Sequence, residues 1–281
     1  MPQTFPMLMN LLLYFTYSLL TSQLAYANEP AFEAYYKFIL GGKHTGYVIQ
    51  RLEIDDKKKQ MTSIYYTYVK TPSGLTTESL VAKAELNFEP ISYQYSAVVD
   101  GKAKAVDATF KNKKMTASLI DGAHKQTATL TVPQNGFLST FLNYVILKNG
   151  LSVGKNYEFL ALAEESPVCL KGEAACDPKN VGFIKGTAHI QSEQKTSEVP
   201  SYKIHIVYKG IAFDGFVGPK GETLGSVSPL QSASTEMVAT RSEAVAALPF
   251  NEKHVKTLFG NIPAGTKNPL HEKLKDGTSA R

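Results

Sequence analysis

Apolar and polar positions alternate along most of this chain from residue 32 onward. Phe32, Ala34, Tyr36, Phe38 and Leu40 fall two apart, which puts them on one face of a strand. The same period returns in 45–54, in the Tyr/Thr-rich stretch 61–70, and in 75–88, where Leu80, Ala82, Ala84, Leu86 and Phe88 share a face. Pro90 interrupts the pattern, and strands are predicted at 91–99, 103–110, 114–120 and 125–132. Gly41-Gly42, Asp100-Gly101 and Asp121-Gly122 are hairpin-turn signals. Turns at such regular spacing predict consecutive antiparallel neighbours. Beyond residue 150, strands are expected at 155–163, 181–191, 202–208, 211–217 and 222–227, with a polar turn over 192–201.

Between these two blocks the period changes. In 135–150, Phe137, Leu138, Phe141, Leu142, Val145 and Ile146 recur at helical spacing, and Tyr144 and Leu147 widen the apolar face. Asn135 is the expected N-cap, Lys148 suits the negative end of the helix dipole, and Gly150 suits the exit. Six large side chains buried at about 1.5–3 kcal/mol each require a cover, and the chain offers only sheet for it. The expected architecture is therefore mainly β (α+β), a strongly curved antiparallel sheet or half-barrel around one central helix at 135–150. A short C-terminal helix follows, opened by the capping box Thr240-Arg241-Ser242-Glu243 and running through Leu248. One continuous sheet and two subdomains divided near Gly150 both fit this pattern.

Composition agrees: among 281 residues, Tyr (15) and Phe (14) are plentiful, Trp is absent, and 43% hydrophobic with 20% charged residues is a globular balance. The net charge of +5 is spread over turn lysines and the C-terminal tail, with no basic stripe of the kind nucleic acid requires. The apolar run 7–20 followed by Ala25-Tyr26-Ala27 reads as a signal peptide cleaved after Ala27, although the preceding MPQTFP has no Lys or Arg, and a retained signal anchor is the alternative. No cysteine follows that run, so no lipoprotein is expected, and the mature chain has no second long apolar segment. The expected organisation is leader 1–27, β domain 28–249 and a basic, mostly disordered tail 250–281, with Val255, Leu258 and Phe259 available to dock as one turn. The expected location is periplasmic or secreted. In such an oxidising compartment, Cys169 and Cys176 are expected to form a local disulfide.

Chemistry is sparse. The six histidines form no HExxH and no metal pair close in sequence, and there is no G-x-S-x-G elbow or glycine-rich phosphate loop. No catalytic residue, metal or cofactor is assigned. His189 and His205 lie on predicted strands with Asp214 close in sequence, and a His/Asp hydrolase site is one alternative should those strands pair. A curved sheet lined by Phe, Tyr, Leu and Ile either packs shut or leaves an apolar pocket, for which Phe137, Phe141, Tyr144 and Val145 are the candidate lining residues.

Several short motifs occur in a recognisable order: Gly46-Tyr47 after GGKHT, NFEPISY at 87–93, Asp-Gly turns, the helix, G-x-x-Y at 154–157, FVGPKGETLGS at 216–226 and EMVATRSEA at 236–244. This order resembles secreted or periplasmic bacterial half-barrel β domains of unknown function. It is also similar to the β domain preceding transglutaminase-like cysteine peptidase domains in some envelope proteins. More distantly it is similar to the periplasmic lipoprotein-carrier half-barrels, in which a curved sheet wraps a helix and holds acyl chains. No Cys-His-Asp set carries over residue by residue. The resemblance implies a non-catalytic exported protein that binds a lipid, an acyl chain or an envelope partner. A structural module that recruits a separate envelope enzyme is the alternative.

Overall fold

A computed structural model describes residues 30–260, apart from 73, 123, 170–176 and 197. The leader with Ala25 and Ala27, Cys176, and the tail beyond residue 260 lie outside the described residues, so cleavage and the Cys169–Cys176 bridge remain expectations.

The protein is mainly β. Eight strands run as a meander: β1 (Phe32–Leu40), β2 (Lys43–Asp55), β3 (Gln60–Thr71), β4 (Gly74–Glu85), β5 (Pro90–Val99), β6 (Lys102–Lys111), β7 (Lys114–Asp121) and β8 (His124–Thr131). Each pairs antiparallel with the next. The turns have the geometry their residues predict: both turn residues have positive φ at Gly41-Gly42 (56° and 74°) and at Asp100-Gly101 (50° and 80°). After a two-residue strand β9 (Phe137–Leu138) and helix α1 (Leu142–Asn149) comes a second meander. It consists of β10 (Asn156–Leu162), β11 (Phe183–Thr196), β12 (Val199–Tyr208), β13 (Ile211–Val217), β14 (Thr223–Ser228) and β15 (Ala233–Val238).

β15 pairs antiparallel with β1, from Tyr35 opposite Val238 to Leu40 opposite Ala233. That junction makes one sheet of fifteen strands and decides against two subdomains. β9 adds parallel to β10, so the sheet is mixed, and it is not closed. Its two edge strands, β8 and β9, are neighbours in the chain, joined by residues 132–136 alone. That linker reaches at most about 22 Å. Fifteen strands laid flat at the usual spacing would be about 67 Å wide. The sheet is therefore bent back until its two edges approach one another at this end.

The helix differs from its expected span. Residues 135–150 do not form one helix: Asn135 sits in a turn with φ of 60°, Phe137 and Leu138 are extended against Ala161 and Leu162, Ser139–Phe141 is a 3-10 turn, and only Leu142–Asn149 is α-helical. Phe137 and Leu138 are both buried, and periodicity does not separate two buried strand residues from the first turn of a buried helix. The helix start is capped from outside. The Ser139 hydroxyl donates to Glu164 Oε2 (2.5 Å) and the Thr140 N–H to Glu164 Oε1 (3.2 Å), so a carboxylate from the loop after β10 does what Asn135 was expected to do. Gly150 ends the helix as expected, with φ of 97° and its N–H on the Leu147 carbonyl.

The main core joins Phe137, Leu138, Phe141, Leu142 and Ile146 to inward residues of both meanders, among them Leu80, Tyr93, Val106 and Leu119 from one and Ile190, Ile204, Val217 and Leu224 from the other. A second core covers the other face of β1–β3: Tyr35, Tyr47, Ile49, Ile64, Tyr66 and Tyr68 pack against α2 (Arg241–Val245) and α3 (Glu252–Phe259). α2 opens at the expected capping box, where Thr240 Oγ1 accepts the Glu243 N–H at 3.1 Å, but ends at Val245. α3 lies inside the segment expected as a mostly disordered tail and carries the docking turn expected at Val255, Leu258 and Phe259. Asn251 caps it by accepting the His254 N–H, and Val255 and Phe259, one turn apart, are buried in the second core. The expected polar turn at 192–201 is instead the far end of the β11–β12 hairpin, paired out to Thr196 opposite Val199. Among the described residues no helix is long and apolar enough to cross a membrane.

Candidate functional site

Where the two sheet edges approach, the structure holds a cleft of about 1490 Å³. Its walls are the β4–β5 turn (Phe88, Ile91), the β6–β7 turn (Phe110 to Lys113), the 132–137 link, one side of α1 (Val145, Lys148, Asn149), and β10 and β11 from Glu158 to Leu160 and from Lys185 to Thr187. Small-molecule pockets usually run to roughly 300–1,000 Å³, so this one exceeds the common size. Its apolar lining includes four aromatic rings, Phe88, Phe110, Phe137 and Phe159, beside aliphatic side chains such as Ile91, Val145, Leu160 and Val207. Lys111, Lys113, Lys148 and Lys185 share the walls with Glu85, Glu89 and Glu158.

Of the four residues predicted to line a pocket, the structure brings Phe137 and Val145 to the cleft and leaves Phe141 and Tyr144 out of it. Phe141 is fully buried in the main core, its ring 6.5 Å from that of Phe88. Tyr144 lies on the other side of α1, where its ring occupies the space a side chain at Gly221 would take, 2.8 Å from the Cβ position. Burial, and then the charge of Glu222, pushes the Tyr144 phenol up.

Phe88 was missed as a site residue. It has φ of 75°, an unusual backbone for a bulky side chain, and its N–H donates to the Glu85 carbonyl at 2.8 Å. The Lys148 ammonium stands 5.4 Å from its ring centre, in cation–π range. Pro90, two residues on, was the only sign of an abrupt reversal there; nothing local marks Phe88 as part of a wall.

Glu164, which caps α1, is 3% exposed. Burial raises its carboxyl above the usual carboxylate range, while the hydrogen bonds from Ser139 and the Thr140 amide pull the other way. Tyr93 and Tyr208 are raised by burial and then by the charge of Glu164, and Tyr65 by burial, then by Glu78 and Glu164. A raised carboxylic acid favours folding in its protonated form, so its contribution is fully present below the unfolded value of about 4.3 and is lost as pH rises through the folded value. Glu164→Gln keeps an acceptor for one of these two hydrogen bonds and removes the titrating group. Urea midpoints measured from pH 4 to 8 should therefore fall less steeply with pH in Glu164→Gln than in the parent; identical slopes would contradict this.

The hydrolase alternative is placed in part. His189 and His205 are directly opposite one another on β11 and β12, and Asp214 is opposite His205 on β13. His205 Nδ1–H donates to Asp214 Oδ1 at 2.9 Å, and Lys203 Nζ is 3.0 Å from Asp214 Oδ2. Burial works against the Asp214 charge, but the hydrogen bonds from His205 and Lys203 hold its carboxyl below the usual range. Among the described residues neither ring is hydrogen-bonded to a serine, threonine or cysteine, so the base–nucleophile pair of a hydrolase is not assembled there.

The chain matches no protein-family model and no curated protein. A solved structure of a DUF1089 family protein from Pseudomonas aeruginosa is similar over 65% of this chain and 89% of its own, at 11% identity and a TM-score of 0.38. The particular half-barrel families named from the sequence find no support in these comparisons.

Proposed function

We propose that this is a non-catalytic exported protein of the bacterial envelope that holds an apolar ligand, a lipid or acyl chain, in the cleft between its sheet edges. The observation that carries this reading is the cleft itself, about 1490 Å³ with four phenylalanines in its walls. The apolar part of this wall is the part an acyl chain would bury, while the lysines and glutamates around it remain in contact with water or a polar headgroup. α1 is read as the plug laid inside the curve of the sheet, with its Val145 side towards the ligand. The leader-like 7–20 segment and Ala25-Tyr26-Ala27 are the sequence features that favour a periplasmic or secreted location in this reading. The Cys169–Cys176 bridge belongs to the same reading, and no described cysteine is free.

The test is binding of a fluorescent fatty acid to the parent and to Val145→Glu. Val145 is half-buried on α1, and glutamate is a good helix former, so the fold should persist. A carboxylate in the apolar wall should weaken binding by about tenfold or more. Equal binding by both proteins, or none by the parent, would overturn the assignment of the site.

A further inference from the structure

We infer that the outer row of β10–β13 carries a two-histidine site for a divalent transition-metal ion, using residues that do not line the cleft. Four residues stand in line across four strands: Asn156 opposite His189, His189 opposite His205, and His205 opposite Asp214. Directly opposed residues share a face, with Cβ atoms about 4.5–5.5 Å apart. The row faces away from the main core, since the neighbours Ala188, Ile190, Ile204 and Ile206 are the buried ones. The His205 side chain is 40% exposed.

The hydrogen bonds at the two ends of the row set the rings. His189 Nδ1–H donates outward to Asn156 Oδ1 at 2.8 Å, and His205 Nδ1–H donates outward the other way to Asp214 Oδ1 at 2.9 Å. Each bond fixes the tautomer, so the remaining nitrogen, Nε2, carries a lone pair. On a five-membered ring the outward directions of the two nitrogens are nearly opposed. With each Nδ1 turned away from the other histidine, each Nε2 is turned up from the sheet and towards it. Two imidazole donors then converge above the β11–β12 junction, each held by an oxygen behind it, the arrangement that orients metal-ligating histidines elsewhere. Imidazole pairs suit Cu²⁺, Zn²⁺ and Ni²⁺, with Cu²⁺ the tightest. Among the described residues no group of three or more His, Cys, Asp or Glu is placed to hold a metal, so water completes the shell and the ion remains open to exchange.

Cu²⁺ alone, titrated into the full chain prepared without a polyhistidine tag, tests this. One equivalent should bind, with two nitrogen donors in the electron paramagnetic resonance spectrum. His189→Ala or His205→Ala should each weaken binding at least about tenfold, the double variant little further, and His124→Ala not at all. Asp214→Ala should weaken it by about tenfold or more while leaving both donors in place. Unchanged affinity in both single histidine variants, or no binding at millimolar Cu²⁺ by a parent with an intact circular dichroism spectrum, would overturn the site.

Discussion

Replacing Arg51 by alanine is expected to lower stability by about 3–5 kcal/mol, the usual cost of stranding one half of a buried ion pair. Arg51 and Glu33 face one another across β1 and β2 and are 7% and 8% exposed. The guanidinium meets Glu33 Oε2 through Nη2 at 2.6 Å and through Nε at 2.7 Å. It also donates from Nη1 to the Phe259 carbonyl at 3.0 Å, satisfying an orphan acceptor at the end of α3, and lies 5.2 Å from the centre of the Phe259 ring. One side chain thus neutralises a buried carboxylate, caps a helix and pins the C-terminal segment to the sheet. Glu33 retains the Tyr35 hydroxyl, 2.5 Å away, but no longer has a cation in contact. That is a large share of a typical domain's roughly 5–15 kcal/mol, and amide exchange should rise first in α3. The pair Glu33→Leu with Arg51→Met should recover much of the loss, because packed apolar residues replace a buried ion pair at little cost. A chemical-denaturation loss below about 1 kcal/mol for Arg51→Ala would remove the lock from this account.

The second large effect is expected at Phe141. Its ring is fully buried between the 3-10 turn and the β4–β5 turn, so Phe141→Ala should cost about 3–5 kcal/mol, and Phe141→Leu much less. The consequence for binding separates core from site. Below its melting transition, Phe141→Ala should bind the fatty-acid probe within about twofold of the parent, because the ring is not part of the cleft wall, whereas Val145→Glu should bind poorly while remaining stable. The reverse pattern would put the ligand beneath Phe141.

Much of the sheet was legible because an edge-to-edge meander with one face in the core writes itself as a period of two, punctuated by Gly and Asp-Gly. The strands around Ala34, Leu80 and Ile204 were read on that basis. What escaped lies where a second layer or a distant partner decides. Tyr35 and Tyr47 point away from the main core and look like polar-face aromatics until α2 and α3 cover them. β15, with Ser234, Thr235 and Glu236 along it, has little strand signal of its own, yet its pairing with β1 is what makes one sheet of two meanders. The start of α1 was misplaced because its cap, Glu164, comes from beyond β10, and no local sequence rule reaches that far. The cleft was half legible. Phe137 and Val145 were read from the helix pattern, but Phe88, Phe110 and Phe159 reach the same space from the β4–β5 turn, the end of β6 and the middle of β10. The histidine row depended on register: a slip of one residue between β11 and β12 would have put His189 and His205 on opposite faces.

The proposed function requires the cleft beside the 132–136 link to be filled by an apolar ligand. Extraction and mass spectrometry of whatever co-purifies with the full chain isolated under native conditions test this directly. A lipid or acyl-chain species is expected at a substantial fraction of one equivalent in the parent and strongly reduced in Val145→Glu. A parent that purifies free of any lipid, and takes none up from mixed lipid vesicles, would contradict it.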